Sequence, residues 1–425
     1  MYLSFHHRLA AYLGIITKRL YLIPHPTAIG NASEDYLFGL LYAKKNRRKL
    51  VTMICHPMLA KTGLKMFSPQ FLAYGNDLTS PKYGSRIYKI LSFLVSLYFF
   101  ISRLAVKLIY RIFKINLPDS YFHPSLGQDI IWQPKSLKKF DWALVDKIDW
   151  DSVFDDSELK LELPLKKQQY CDKLFQEFGL PKGAWFVCVH VREGGYSGDH
   201  QNIRNATIDN YLEAIQFITS QGGWVFRMGD TSMKNLPPLE HVIDYANSTK
   251  RHALLDVYLI ANCKYFVGTS SGIFDTALLF GKPTLLTNAV HFLMQMPQKR
   301  NDLIIFKHVY SKNNGNKLTL REWLLDYDKL ESSTWSSLDW VFAENSSEEI
   351  TAAVKNLMGF GLDSENVQLQ LEFKALHLKA CKGLSLKFKV NENTRVNVSD
   401  WYRFASSLIS WNGRVCSSYL EENWQ

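Results

Sequence analysis

One repeated pattern constrains this chain more than any other feature: an apolar run that ends in polar and glycine residues just ahead of a helix-spaced segment. It occurs first as Trp185-Phe-Val-Cys-Val-His190-Val191, which runs into Arg192-Glu-Gly-Gly-Tyr196. It occurs again as Tyr265-Phe-Val-Gly268, followed by Thr269-Ser-Ser-Gly272, a helix, and Gly281-Lys-Pro283-Thr-Leu-Leu. Two apolar strands that each deliver such a turn into a helix describe an open α/β sheet. In such sheets ligands sit outside the carboxyl ends of the strands. The residues there are arginine, serine, threonine and glycine, types that hold a phosphate without performing phosphate chemistry.

The 425 residues make room for two domains of ordinary size. An apolar share of 47% supports a sizeable core and argues against global disorder. Aromatics at 14% suit contact with carbohydrate or lipid. The formal charge of +10 favours an acidic partner, whether nucleic acid, an anionic membrane or a phosphorylated substrate. Nucleic acid fits worst, because the basic residues cluster with apolar ones rather than with polar and stacking ones. None of the six cysteines forms a Cys-x-x-Cys pair, and Cys188 and Cys263 lie in apolar patterns, so a reducing cytosol is expected. Met1 to Gly14 lacks the basic start of a cleavable signal.

A first domain is expected over residues 1–163. It opens with a strand at Leu20–Ile23 and a turn at Pro24-His25-Pro26. Ala28-Ile-Gly30-Asn-Ala-Ser33-Glu34 follows, then a helix from Tyr36 to Lys45 with Ser33 as its N-cap. Leu50–Ile54 is the second strand of a Rossmann-like unit. Asp119–Leu163 reads as a polar, acidic linker. Residues 164–335 form the second domain, entered by a helix over Leu165–Phe178. Residues 336–425, with helical stretches at 346–358 and Trp401–Ile409, are expected to pack back on the first domain.

The segment from Lys82 to Lys114 stands apart, with seven lysines or arginines and no acid. Its apolar core, Ile90–Ile101, is 12 residues. A spanning helix needs about 20, so the segment is not expected to span. Arg103, Lys107 and Arg111 recur at every fourth position on one helical face. A cationic amphipathic helix with an apolar lead-in predicts an in-plane membrane helix, over about 84–115, on anionic lipid. The bland alternative is a buried helix with solvated basic residues.

Several residues gather at the expected strand ends. Alternation places Cys188, His190 and Arg192 on one face, and Arg192 is suited to fork onto a phosphate. Arg204-Asn205 precedes a helix over Thr207–Ser220, where a cation reinforces the anion preference of the helix N-terminus. Arg227, inside the apolar strand of Gly223-Trp-Val-Phe-Arg227-Met-Gly229-Asp230, needs a partner, either Asp230 or a ligand phosphate. Gly229 permits a tight turn or a close backbone approach. Thr269, Ser270, Ser271 and Gly272 combine hydroxyls with consecutive N–H groups ahead of a helix over Ile273–Phe280, an anion cradle. Asp275, in the first turn of that helix, suits a ribose or sugar hydroxyl, or merely the helix dipole.

In that order these motifs, together with Tyr211-Leu-x-Ala-Ile, Ile243-Asp244-Tyr245, Asp256-Val-Tyr-Leu-Ile-Ala and Phe280-Gly-Lys-Pro283-Thr-Leu-Leu-Thr-Asn288, resemble a family of bacterial glycosyltransferases from surface-polysaccharide clusters. The likeness covers about residues 180–290. More distantly, the His-x-Arg strand end and the Ser-Ser-Gly turn resemble the GT-B fucosyltransferases. That resemblance makes Arg192 the diphosphate contact, with Ser270 and Ser271 as its neighbours. Glu193-Gly194 stands where those enzymes have a second arginine, which argues against a GDP-fucose donor.

The resemblance implies an α/β fold of GT-B type, two Rossmann-like domains facing across a cleft, with an added basic helix and C-terminal helices. It implies a nucleotide-sugar donor held by the residues above, with Asp256, and a lipid-linked or polysaccharide acceptor. The protein would sit peripherally on the inner face of the plasma membrane. No cofactor or metal is expected. Asp149-Trp-Asp151 and Asp326-Tyr-Asp328 mimic the metal-binding Asp-x-Asp of another glycosyltransferase fold, but neither follows a strand of a nucleotide-binding unit. Inversion at the anomeric centre would need a general base from the first domain, for which Glu34 and His25 are the candidates. Competing readings are a sugar-nucleotide epimerase of the same fold and a non-catalytic membrane scaffold.

Overall fold

The computed structural model describes residues 12–14, 16–25, 28–54, 61, 68–115, 149–195, 198, 200, 202–292, 295–326, 339–361, 366–389 and 411–425. Residues 119–148 of the linker expected over 119–163, the helical stretch at 401–409, Asp328 and most of the loop 196–201 lie outside these residues. The chain divides into two compact units, Met1–Asp141 with Phe154–Asp172, and Trp142–Val153 with Lys173–Gln425. The expected boundary at 163/164 therefore moves to 172/173. Residues after Phe154 belong with the first unit because Gly75 and Glu162 exchange backbone hydrogen bonds of 3.0 Å, Asn76 Nδ2 donates to the Glu158 carbonyl at 3.0 Å, and Lys44 pairs with Asp156 and Glu158.

In the first unit, β1 (Arg19–Leu22) and β2 (Lys49–Thr52) pair in parallel, linked by the helix Ile29–Lys45. Gly39 lets that helix lie close to the strands, since a Cβ there would stand 3.1 Å from Leu22 and 3.3 Å from Leu50. The helix starts at Ile29 rather than Tyr36, with Ala28 at the cap position, so Ser33 is a buried helical residue and not the N-cap. Gly30, Ala32 and Ser33 are small enough to be buried there, and that extends the helix toward the end of β1. Glu34 consequently sits in the second turn and not at the helix start. A core of Ile23, Val51, Met53 and Phe99 closes the unit.

Phe99 comes from a 28-residue helix, Arg86–Phe113, started by the Ser85 hydroxyl, which accepts from the Tyr88 N–H. The 12-residue apolar run understates this element. By length and composition the whole helix is able to cross a membrane. Its buried residues are Tyr88, Ser92, Ser96 and Phe99.

The second unit is built on a seven-stranded sheet of β3 (Phe186–His190), β4 (Trp224–Arg227), β5 (Val242–Ile243), β6 (Tyr265–Gly268), β7 (Thr284–Ala289), β8 (Leu303–Phe306) and β12 (Arg414–Val415). Every pairing is parallel, and the order is β12-β8-β7-β6-β3-β4-β5. The chain builds outward from β3 through β4 to β5, returns to the other side of β3 with β6, and continues through β7 and β8. This is the doubly wound order, and its reversal falls between β3 and β6. The α/β class expected from the sequence is thus what the structure has. On one side Phe175, Phe178, Phe186, Phe226 and Tyr245 form a ring cluster with centroid spacings from 5.1 to 6.3 Å. Each fully buried ring of this kind contributes about 1.5–3 kcal/mol.

A three-stranded antiparallel sheet, β10 (Lys317–Leu318), β9 (His308–Ser311) and β11 (Trp340–Ala343), follows β8. The described part of the C-terminal region clusters with the second unit. Its strand β12 extends the large sheet beside β8, and Trp411, Tyr419 and Trp424 are buried. Tyr419 donates to the Phe306 carbonyl at 2.8 Å, while Trp411 and Trp424 pack on Phe373. These large apolar side chains need a core, and the end of the second sheet supplies one.

Candidate functional site

The reversal between β3 and β6 brings the two sequence motifs side by side. The backbone N–H of Arg192 donates to Thr269 Oγ1 at 2.9 Å, tying the end of β3 to the turn after β6. Gly268 makes that approach possible, because a Cβ there would strike the carbonyl of His190. Arg192 Nε donates to Asn205 Oδ1 at 3.1 Å, and Ala206 N–H donates to the Arg192 carbonyl at 2.8 Å. The guanidinium is therefore braced in one orientation, which lowers the entropy lost when it engages an anion.

Beside it begins the helix Gly272–Leu279, with Ser271 at the cap position and no side chain capping it among the described residues. Its leading N–H groups carry the positive end of the helix dipole. Ser270 and Ser271 are buried, and the Ser271 hydroxyl has no hydrogen-bond partner among the described residues. Asp275 lies one turn in, and its carboxyl is pushed up to about 7 by burial, against a lowering effect from Gln295 and from Arg204. Arg204 thus stands near this helix start, with its Nε donating to Asn202 Oδ1 at 3.0 Å. Thr269, Ser271, Gly272, Asp275, Arg192, Arg204 and Asn205 are all brought to the switch point.

His190 ends β3 and is buried, with Nδ1 3.2 Å from the Met228 carbonyl. Burial drives its pKa down to about 4. A carbonyl can only accept, so Nδ1 carries the proton, and the neutral ring presents Nε2 as an acceptor. That suits a ligand hydroxyl and not a phosphate oxygen, which is itself an acceptor. Asp230 is close enough to His190 to oppose this shift, and its Oδ1 holds the turn by accepting from the Ser232 N–H at 2.9 Å.

Two of the expected donor contacts, Arg227 and Asp256, have partners within the protein. Arg227 is fully buried and bridges Glu193 Oε1 at 2.9 Å and Asp244 Oδ1 at 3.1 Å, so neither Asp230 nor a ligand is its counter-ion. The register places it opposite Val189 inside the ladder, where a charge without a partner is too costly. Asp256 accepts a hydrogen bond from the Tyr245 hydroxyl at 2.7 Å and is raised by burial. Gly229, at φ 148°, is a turn residue, and a Cβ there would collide with Met233.

Two side chains at the site carry no expectation from the sequence motifs. Lys307, just past β8, is buried, is lowered by that burial, and donates from Nζ to the Asn205 carbonyl at 2.7 Å. A signal for it exists, since Leu303-Ile-Ile-Phe306-Lys307 repeats the pattern of an apolar run ending in a charge. Gln295, at φ 55°, donates from Nε2 to the Ser271 carbonyl at 2.8 Å and to Asp275 Oδ1 at 2.6 Å. Nothing in its neighbours along the chain marks it.

Of the other candidates, Asp149 and Asp151 both accept from Asn412 Nδ2 at 2.8 Å, Asp149 also accepts from Ser152 Oγ at 2.6 Å, and Asp151 from the Arg300 N–H at 3.0 Å. That pair fastens the C-terminal segment to the unit. In the first unit the backbone N–H of His25 donates to Asp35 Oδ2 at 2.9 Å. Asp35, the buried neighbour of Glu34, thereby holds the turn that carries His25.

No protein-family model matches the chain, and no curated protein matches it. Among solved structures it is similar to a glycosyl transferase of family 9 from Veillonella parvula, at 10% identity over 80% of this chain and 96% of that one, with a TM-score of 0.43. It is also similar to the E. coli ADP-heptose lipopolysaccharide heptosyltransferase II, at 15% identity over 63% and 83%, with a TM-score of 0.32. A further E. coli heptosyltransferase, solved with ADP, is 10% identical over 67% and 90%, with a TM-score of 0.27. Likeness at this level leaves the reaction to be argued from the site.

Proposed function

We propose that this chain is a metal-independent glycosyltransferase of GT-B type. It would move a sugar from a nucleotide-sugar donor to a lipid-linked or polysaccharide acceptor of the bacterial surface, working at the anionic inner face of the plasma membrane. The observation that carries the reading is the braced Arg192 beside the uncapped start of Gly272–Leu279, at the strand reversal of a doubly wound sheet. The acceptor hydroxyl oxygen bonds to the anomeric carbon as the bond from that carbon to the diphosphate oxygen breaks. The leaving diphosphate takes the electron pair, and Arg192, Arg204 and the helix N–H groups stabilise its charge. The hydroxyl proton passes to a base of the first unit, for which Glu34 and His25 remain the candidates. His190 Nε2 accepts from a hydroxyl of the donor.

The test is calorimetric titration of the full chain, without added metal, with UDP-, GDP-, CMP- and dTDP-sugars, ADP-sugars and the free nucleotides. One base should bind selectively. Arg192→Ala should weaken that binding about 10- to 150-fold, the range for losing a hydrogen bond to a charged group. Unchanged affinity removes Arg192 from the site, and no nucleotide binding at all overturns the donor-site reading.

A further inference from the structure

The helix Arg86–Phe113 carries two opposite faces, and each has its own chemistry. At 100° per residue, its buried line of Tyr88, Ser92, Ser96 and Phe99 lies about 170° around the axis from a second line, Leu94, Leu97, Ile101, Leu104, Leu108 and Ile112. The first line faces the protein. Ser92 Oγ accepts from the Ile54 N–H at 3.2 Å just past β2, and Phe99 completes the core with Ile23, Val51 and Met53. The second line is apolar throughout, between 36% and 59% exposed, and continues for about 27 Å. Arg103, Lys107 and Arg111 form a ridge about 110° to one side of it, and Lys82 to Lys114 contains no acid.

We infer that this second line is the face on which the protein enters an anionic bilayer, with the helix lying flat between its own domain and the lipid. The inference deepens the membrane-partner part of the proposed function and rests on that reading. A spanning orientation conflicts with the faces. Lipid would have to replace the domain along Tyr88, Ser92, Ser96 and Phe99, and the hydrocarbon would have to accept the Arg103–Lys107–Arg111 ridge. A second copy of this chain is the other apolar partner to weigh, and it would set the same run of seven lysines and arginines against its own copy. An anionic surface complements those charges, and the ridge stands where headgroups lie when an apolar face is buried about 5–10 Å deep.

The experiment is flotation of the full chain with vesicles of phosphatidylcholine alone and with added phosphatidylglycerol, in the absence of nucleotide. Binding is expected only with phosphatidylglycerol and should fall in 0.5 M salt, a result that needs no variant. Arg103→Gln with Lys107→Gln and Arg111→Gln should weaken it on the order of 100-fold, about fivefold per basic residue. Leu104→Asp with Leu108→Asp, both at exposed positions, should abolish it with an unchanged circular dichroism spectrum. An environment-sensitive dye on single cysteines introduced from Ile101→Cys to Ile112→Cys should report burial with a 3.6-residue period. Equal binding to both vesicle types, no loss in the Leu104 and Leu108 variant, or uniform dye burial along the helix overturns the inference. So does a lipid-free dimer that this variant converts to monomer. Because no nucleotide is used, failure here leaves the donor-site titration as a separate test of the reaction.

Discussion

Replacing Arg227 by methionine separates a structural arginine from a ligand-binding one. The guanidinium has no solvent exposure and joins Glu193 to Asp244, whose side chains are 16% and 21% exposed. Methionine fills much of the volume and leaves two facing carboxylates without their counter-ion. Removing one partner of a buried pair costs about 3–5 kcal/mol. The lower part of that range applies here, because each carboxylate keeps other donors. Glu193 Oε2 accepts from the Lys234 N–H at 2.6 Å, and Asp244 Oδ2 accepts from the Leu236 N–H at 3.1 Å and Asn247 Nδ2 at 2.9 Å. For a unit of this size each kcal/mol moves Tm by roughly 2–4 °C, so Arg227→Met should lower it by roughly 6–12 °C for a cost near 3 kcal/mol. Arg227→Lys should fall between, since one ammonium cannot fork to two carboxylates. Thermal and urea unfolding measure the stability, and nucleotide titration well below Tm measures the site. Lost nucleotide affinity at wild-type stability would refute this assignment and return Arg227 to the donor site.

Two further outcomes follow from the same geometry. Asn205→Ala removes the brace on Arg192 Nε and should weaken nucleotide binding about tenfold with little change in Tm, read by calorimetry beside thermal unfolding; wild-type affinity would show that the brace does not matter. Asp275 has a folded pKa of about 7 against an ordinary value of 3.8, so its contribution to stability is unfavourable, absent below about pH 4, growing as pH rises through that interval and complete above 7. Asp275→Asn keeps the acceptor for Gln295, and its stability advantage over the wild type should grow from pH 4.5 to 8, whereas a constant difference across that range would argue against a buried, titrating carboxyl.

The strand ends are legible because two cues coincide there. A continuous apolar run marks a buried strand, and a following glycine with hydroxyl residues marks the turn into a helix, so β3, β4 and β6 can be read from the chain, and β7 from the Gly281-Lys-Pro283 turn ahead of it. The same cue at Leu303–Lys307 lacks the glycine, and without it β8 and the buried Lys307 are easily passed over. The antiparallel strands β9, β10 and β11 are short, two to four residues each, and half-exposed, so periodicity has little to act on. Only Asn313-Asn-Gly315-Asn hints at their hairpin, with Gly315 at φ 71°. The helix Ile29–Lys45 reads too short at its start because glycine and serine weigh against helix in isolation, while burial of those small residues against the strands outweighs that preference.

The two arginines of the second unit show where local pattern stops informing function. Arg192 and Arg227 each close an apolar strand beside a glycine-bearing turn, and as residues in a string they are equivalent. Their ladder positions are not. Arg227 is the last paired residue of β4, opposite Val189, so its side chain is desolvated and must find acids. The acids it finds are 34 and 17 residues away in the chain, Glu193 and Asp244, beyond the reach of any spacing rule. Arg192 follows the last residue of β3 by two positions, past the ladder, where its backbone is tied to Thr269 and its Nε to Asn205. A guanidinium forked between two half-buried carboxylates is neutralised where it stands, whereas one beyond the ladder stands at the mouth of the strand reversal, where ligands of such sheets sit. The site is therefore defined less by which residues are cationic than by where each cation stands relative to the ends of the ladder.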